Sequence, residues 1–280
     1  MIEIDNHIDA LIEMAIAEDL VGGVDITSVA TINKDQVGVA EYRLRQSGVI
    51  AGIPVAIEVL KKLGVTDIQA SIHHGELQEA GSVILTARGN VRALLLAERT
   101  TLNFLTHLSG IATLTRKWVD QVSGTKCEVR DTRKTTPGWR VLEKYAVRMG
   151  GGTNHRMSLT DAALIKDNHI VAAGGVLKAF ELVRTQYPDA DIEIEVDTLD
   201  QLREVLKGNP DLIMLDNMSI EDCREAVAIV NGQTRLEASG GLSIENARAY
   251  ALTGVDFIAV GALTHSAKAL DIGLDLKMES

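Results

Sequence analysis

Aromatic residues make up only 3% of this 280-residue chain. That scarcity argues against base stacking on aromatic platforms, and a formal net charge of −11 argues against a general nucleic-acid surface. Cysteine is scarcer still. Cys127 and Cys223 stand far apart, so they read as buried thiols, neither a disulfide framework nor a metal motif. No apolar run reaches the roughly 18 residues needed to span a bilayer. The first twenty residues hold six Asp/Glu and no Lys or Arg, the reverse of a secretory or transit signal. These absences lead us to expect a soluble, cytoplasmic protein with neither nucleic acid nor membrane as a partner. Apolar residues are plentiful at 46%, enough core for one large domain or two smaller ones.

Two textures follow one another along the chain. Residues 1–125 open with an acidic amphipathic helix, expected over about 4–17, and a Gly-rich turn at 21–28. Strand-like alternation runs through 37–45. A helix is expected near 54–63, a strand pair around 68–87, and helical periodicity across 90–123 with a break at Gly110. From residue 126 short apolar strands alternate with helical segments: CEVRDTR, ALIKDNH, IEIEVDT, LIMLDN, RLEASGG and FIAVGAL. Such alternation implies parallel strands with right-handed crossovers, in a doubly wound sheet or a (β/α) barrel.

The strand ends favour the barrel. Each apolar run closes on a polar residue or glycine: Arg133, Lys166, Glu195, Asp216, Ser239-Gly240 and Gly261. The last four are 21, 23 and 22 residues apart, about one β/α unit each. A barrel brings all these ends to one rim, where active sites lie, whereas a doubly wound sheet gathers them only at a switch point. Six readable strands imply an open or incomplete barrel.

That rim carries three kinds of chemistry. Lys126 to Arg156 hold eight Lys/Arg against three Asp/Glu, a window of +5 in a chain whose remainder carries −16. Fixed cations in a water-poor cleft suit a small, highly anionic ligand. Arg133, Lys134, His155, Arg156 and Lys166 form this sector, while Arg140, Lys144 and Arg148 have the spacing of a solvated helix face. His155 has the chemistry of a base or of a hydrogen-bond donor to a carboxylate. Glu195 and Asp216 form an acidic sector suited to Mg²⁺ or to ribose hydroxyls. Ser239-Gly240-Gly241 and Gly261 each precede a helical segment, and backbone N–H groups at such turns bind phosphate. Together the sectors suggest a phosphorylated sugar reacting with a polyanionic partner. No Cys or Ser nucleophile with a nearby base is apparent.

The stretches RDTRKTTPGWR, MGGGTNHRMSLTDAALIKDNHI, IEVDT, LDN, EASGG, ERTTLNFL and RQSGVIAG resemble those of the quinolinate phosphoribosyltransferases (nicotinate-nucleotide pyrophosphorylases, carboxylating), over essentially the whole length. The resemblance implies an α/β fold. An N-terminal α/β sandwich-like domain would span 1–109, with the tail 270–280 returning to it. An open (β/α) barrel of six or seven parallel strands would span 110–269 and carry the active site. It further implies a homodimer, sometimes assembled further, with shared active sites. The implied reaction joins quinolinate to 5-phosphoribosyl 1-diphosphate, with Mg²⁺, giving nicotinate mononucleotide, pyrophosphate and carbon dioxide.

Carried over residue by residue, the family's carboxylate-binding positions fall on Arg99 (lent across the dimer), Arg133, His155 and Arg156. Lys134 and Lys166 fall between the substrates. Glu195 and Asp216 are the ribose and metal acids, Ser239, Gly240 and Gly261 the 5-phosphate loops, and Arg45 and His265 the pyrophosphate contacts. Two other readings stand beside this one. A molybdenum-transport-associated paralogue shares the architecture, though intact RKTTPG and GGTNHR argue against it. A Schiff-base aldolase using Lys166 is a different class, and borohydride trapping would favour it.

Overall fold

The computed structural model describes residues 2–72 and 75–279. The chain packs as two compact units. Residues 1–116, 136–151 and 266–280 form one, and residues 117–135 and 152–265 the other.

In the first unit the opening helix runs Asn6–Leu20, later than the periodicity alone suggests, because Asp5 takes the cap and accepts the Ile8 N–H at 2.8 Å. The helix Ile53–Lys62 and the strand Val37–Leu44 fall close to expectation. That strand alternates half-buried and buried residues, as period-2 patterning requires. It is central in an antiparallel sheet ordered Ile272–Met278, Val37–Leu44, Val83–Asn90, Asp67–Ala70. The C-terminal strand thus pairs with a strand more than two hundred residues earlier. Of the strand pair expected around 68–87, residues 73–74 lie outside the described residues.

Gly110 does not break its helix. The segment Val91–Val122 is one continuous α-helix, and Gly110 is there for close approach. A Cβ at this position would lie 2.2 Å from the Lys268 carbonyl oxygen. Glycine in a helix interior costs about 1 kcal/mol against alanine, less than that clash. The same helix turns Ser109 and Thr113 toward the chain at 49–51, where their hydroxyls meet the backbone of Ala51 and Val49. The solvated-face reading of 140–148 also needs correction. The helix Arg140–Met149 exposes Arg148, but Lys144 is wholly buried and engaged, as is its neighbour Glu143. His107 at 2.9 Å and the Thr136 N–H at 3.0 Å hold the Glu143 carboxylate.

The second unit is built on six parallel strands ordered Glu128–Arg130, Phe257–Ala259, Arg235–Ser239, Leu212–Asp216, Ile192–Val196, Ala163–Ile165. This is the cyclic order of a (β/α) barrel cut open between its first two strands. Thr153 adds a single parallel bridge to Arg130 on the open side. Apolar residues fill the strands, with Ile192–Val196 buried throughout. Ser219 and Thr198 cap the crossover helices Ile220–Val230 and Leu199–Val205 through their side chains, and Ser243 with Asn246 forms a capping box on Ile244–Ala251. Registry then sets the rim: Ser239 pairs with Asp216, and Glu195 with Met214.

Candidate active site

A cavity of about 690 Å³ opens at the carboxyl ends of these strands, within the range of small-molecule sites. Arg133, Lys134, His155, Arg156, Lys166, Glu195, Asp216, Ser239, Gly240, Gly261 and His265 all line it. Arg45 and Arg99 belong to the first unit and do not line it. Arg45 pairs with Asp275. Arg99 is exposed on its helix and forms no ion pair among the described residues.

The cationic side is held by the loop after Glu128–Arg130. Thr132 accepts the Lys134 N–H at 3.1 Å, and the Thr264 hydroxyl donates to the Lys134 carbonyl at 2.7 Å, so the first and last barrel strands fix this lysine together. Arg133 buries its Nε without a hydrogen-bond partner among the described residues, a donor held ready. Arg156 donates through Nη1 to the Ala162 carbonyl at 2.7 Å. Burial, then repulsion from Arg133, lowers the Arg156 pKa. Two guanidinium groups this close mark a site short of negative charge.

Opposite lie the acids. Lys166 Nζ stands 3.5 Å from Glu195, and the Asn217 amide donates to Asp216 at 2.6 Å. Burial raises the pKa of both carboxyls. Lys166 opposes that for Glu195 and Asn217 for Asp216, while neighbouring carboxylates push each further up. Asp197, two residues beyond Glu195, joins them. The carboxylate oxygens of the three lie within 4.8 Å of one another. Asp197 escaped the strand-end reading because it sits just past the strand, although IEVDT contains it.

The glycine turns form the third side. Gly240 and Gly241 both have positive φ, +81° and +62°. Gly240 also packs against Asn217, whose N–H donates to the Ser239 carbonyl at 2.8 Å. At Gly261 a Cβ would stand 3.1 Å from Lys134 Cδ and 3.2 Å from His265 Nε2. Each turn leads into a helical segment, Ile244–Ala251 and Ala262–His265, the setting in which main-chain N–H groups can bind phosphate.

A buried polar cluster that rim reasoning missed reaches the cavity, where His155 and Glu237 line it. His155 Nε2 stands 2.6 Å from Glu193 and 3.9 Å from Glu237, and Arg130 donates to Glu237 at 2.8 Å. Burial pushes Glu193 up to about 7, and burial together with Glu193 pushes Glu237 up to about 8. A signal existed in the sequence. Glu193 and Glu195 alternate in IEIEV, so both point to the same face of their strand.

An open (β/α) barrel with cations, carboxylates and two glycine turns on one rim defines an enzyme for phosphorylated, multiply anionic substrates. The family models for the quinolinate phosphoribosyl transferase N-terminal and C-terminal domains match residues 25–109 and 111–275. The chain belongs to this family. It is 50% identical over 271 residues to the nicotinate-nucleotide pyrophosphorylase [carboxylating] of Mycobacterium leprae, covering 95% of each. It is 40% identical over 280 residues to a probable enzyme of that name from Bacillus subtilis, covering 98% of this chain and 96% of that one. The crystal structure of NadC from Streptococcus pyogenes superposes with a TM-score of 0.95 at 37% identity, covering 100% of this chain and 99% of that one.

Proposed function

We infer that the chain transfers the phosphoribosyl group of 5-phosphoribosyl 1-diphosphate to quinolinate with decarboxylation, releasing nicotinate mononucleotide, pyrophosphate and carbon dioxide. One observation carries the inference: a single cleft joins paired arginines, paired lysines, a carboxylate cluster and two phosphate-type turns. Quinolinate brings two adjacent carboxylates, and the donor a monophosphate and a diphosphate. An aldolase working through Lys166 would leave the glycine turns and the acids without a task.

In this reading Arg133 and Arg156 take the quinolinate carboxylates, since guanidinium groups match carboxylates bidentately. Ser239, Gly240 and Gly261 hold the 5-phosphate. Lys134 and Lys166 stand between the substrates and stabilise the charge that separates as the diphosphate leaves. Once the ring nitrogen is ribosylated, its positive charge stabilises the electron pair left on ring carbon 2 when the bond to that carboxylate breaks and carbon dioxide leaves. The carbon then takes a proton from water, so the cleft's main task is orientation.

The donor set of Glu195, Asp197 and Asp216 is all oxygen and mutually close. The Glu195 and Asp216 carboxyls are raised in pKa by burial and then by neighbouring carboxylates, a repulsion that a hard cation would relieve. It fits Mg²⁺, with Glu195 and Asp216 the proposed holders. Bound there, the ion would supply charge neutralisation for the diphosphate. We further propose a cytoplasmic homodimer in which Arg99 serves the partner copy's cleft. Two buried free thiols fit a reducing compartment, and Arg99, exposed and without an ion pair among the described residues, fits a role outside its own unit.

The test is formation of nicotinate mononucleotide dependent on both quinolinate and the sugar donor. Equal turnover with nicotinate in place of quinolinate would overturn the assignment.

A further inference from the structure

His155 lines the cleft, yet its ring is spoken for. Its Nδ1 lies 2.8 Å from the backbone nitrogen of Arg156, which can only donate, so Nδ1 carries no proton. The other nitrogen must then carry one. Nε2–H faces Glu193 at 2.6 Å and donates to it. This conclusion holds whether Glu193 is charged or neutral, because an imidazole with Nδ1 bare has its proton on Nε2. The ring is 8% exposed and Glu193 7%, so neither nitrogen is turned to solvent.

The surrounding groups extend the chain of contacts. Asp131 accepts the His155 backbone N–H at 2.9 Å, and Arg130 holds Glu237, 3.9 Å from the same Nε2. On the other side the ring fixes the Arg156 main chain, and the Arg156 guanidinium is tied to Ala162. A line of hydrogen bonds thus runs from buried Glu193 through His155 to a cleft arginine.

Resting on the function proposed above, we propose that Glu193 is a positioning residue for quinolinate, accepting from the His155 Nε2–H and so holding the ring where it orders Arg156. Outer partners of this kind tune an inner group by about 10–100-fold where they orient a metal-binding histidine. The same logic applies to a histidine that orients an arginine.

The experiment has two independent readouts. In ¹⁵N-histidine-labelled protein, with His155 assigned by comparison with His155→Gln, the expected shifts are pyridine-type for Nδ1 and pyrrole-type for Nε2 from about pH 6 to 8. This needs no turnover, so it stands even if the assigned reaction fails. Glu193→Ala leaves the Arg156 N–H on Nδ1, so it should keep the tautomer, but with the Nε2–H unanchored it should raise KM for quinolinate by about tenfold, with KM for the sugar donor unchanged. Glu193→Gln still accepts from Nε2–H and should keep both tautomer and KM. An imidazolium in the wild-type protein would overturn the proposal, and so would a Gln variant as impaired as a folded Ala variant. Should the Ala variant fail to fold, the wild-type spectrum and the Gln variant decide the matter.

Discussion

Replacing Gly240 with Ala should impair use of the sugar donor while sparing quinolinate. An alanine Cβ there would sit 2.1 Å from Asn217 Oδ1, 2.5 Å from its Cγ and 3.1 Å from its backbone nitrogen. The Asn217 side chain is not free to swing aside. Its amide donates to Asp216 at 2.6 Å, and its main chain is tied to Ser239. Left-handed backbone costs an L-residue about 1–2 kcal/mol, and overpacking adds about 1–3 kcal/mol. The variant should therefore lose about 2–5 kcal/mol of stability. Gly241 separates the two contributions. Its φ is also positive, but a Cβ there would meet no atom within 4 Å, so Gly241→Ala should lose only about 1–2 kcal/mol. Denaturant unfolding of both variants, with initial rates measured for each substrate, reads out the difference. If about 1.4 kcal/mol of the strain falls on the donor complex, KM for the donor rises about tenfold, while KM for quinolinate moves by less than about twofold. Equal stability losses in the two variants, or an unchanged donor KM in Gly240→Ala, would refute the steric reasoning.

Lys134→Ala and Lys166→Ala should each abolish measurable turnover with the fold intact by circular dichroism; near-normal kcat would remove that lysine from the site. Glu195→Ala or Asp216→Ala should weaken donor binding far more than quinolinate binding in calorimetric titrations with Mg²⁺ present, whereas equal losses would point to general misfolding. Glu237 carries a pKa raised from 4.5 to about 8 in the folded chain. Its contribution to stability is therefore present below about 4.5 and declines as pH rises toward 8, by up to about 1.4 kcal/mol per pH unit. Glu237→Gln should flatten that decline in urea unfolding from pH 5 to 8, and an unchanged slope would contradict the raised value. Arg99→Ala and Arg133→Ala should each be inactive alone. Mixed under subunit exchange, they should regain about a quarter of wild-type sites if the cleft is shared in a dimer; no recovery in demonstrated heterodimers would place Arg99 elsewhere.

Sequence carried far at the barrel. The rhythm of strand and helix was legible because buried parallel strands are apolar runs and crossover helices keep helical periodicity, so the strand ends named the rim. Eleven of the proposed site residues line one cavity for that reason. Gly110 misled because a helix-breaking residue and a close-packing residue look alike until the Lys268 carbonyl is in view. Lys144 misled because helical spacing of charge does not reveal what wraps the helix. The cluster of His155, Glu193, Glu237 and Arg130 draws on separate strands and loops, and only the fold brings them together. Whether Arg99 serves a second copy was never a property of one chain's pattern.

The central claim is tested most directly by following the products of one reaction. With quinolinate isotopically labelled in the ring-position-2 carboxylate, we expect carbon dioxide, pyrophosphate and nicotinate mononucleotide in equal amounts, all dependent on the sugar donor. Nucleotide formation that retains the label, or proceeds equally from nicotinate without releasing carbon dioxide, would contradict it.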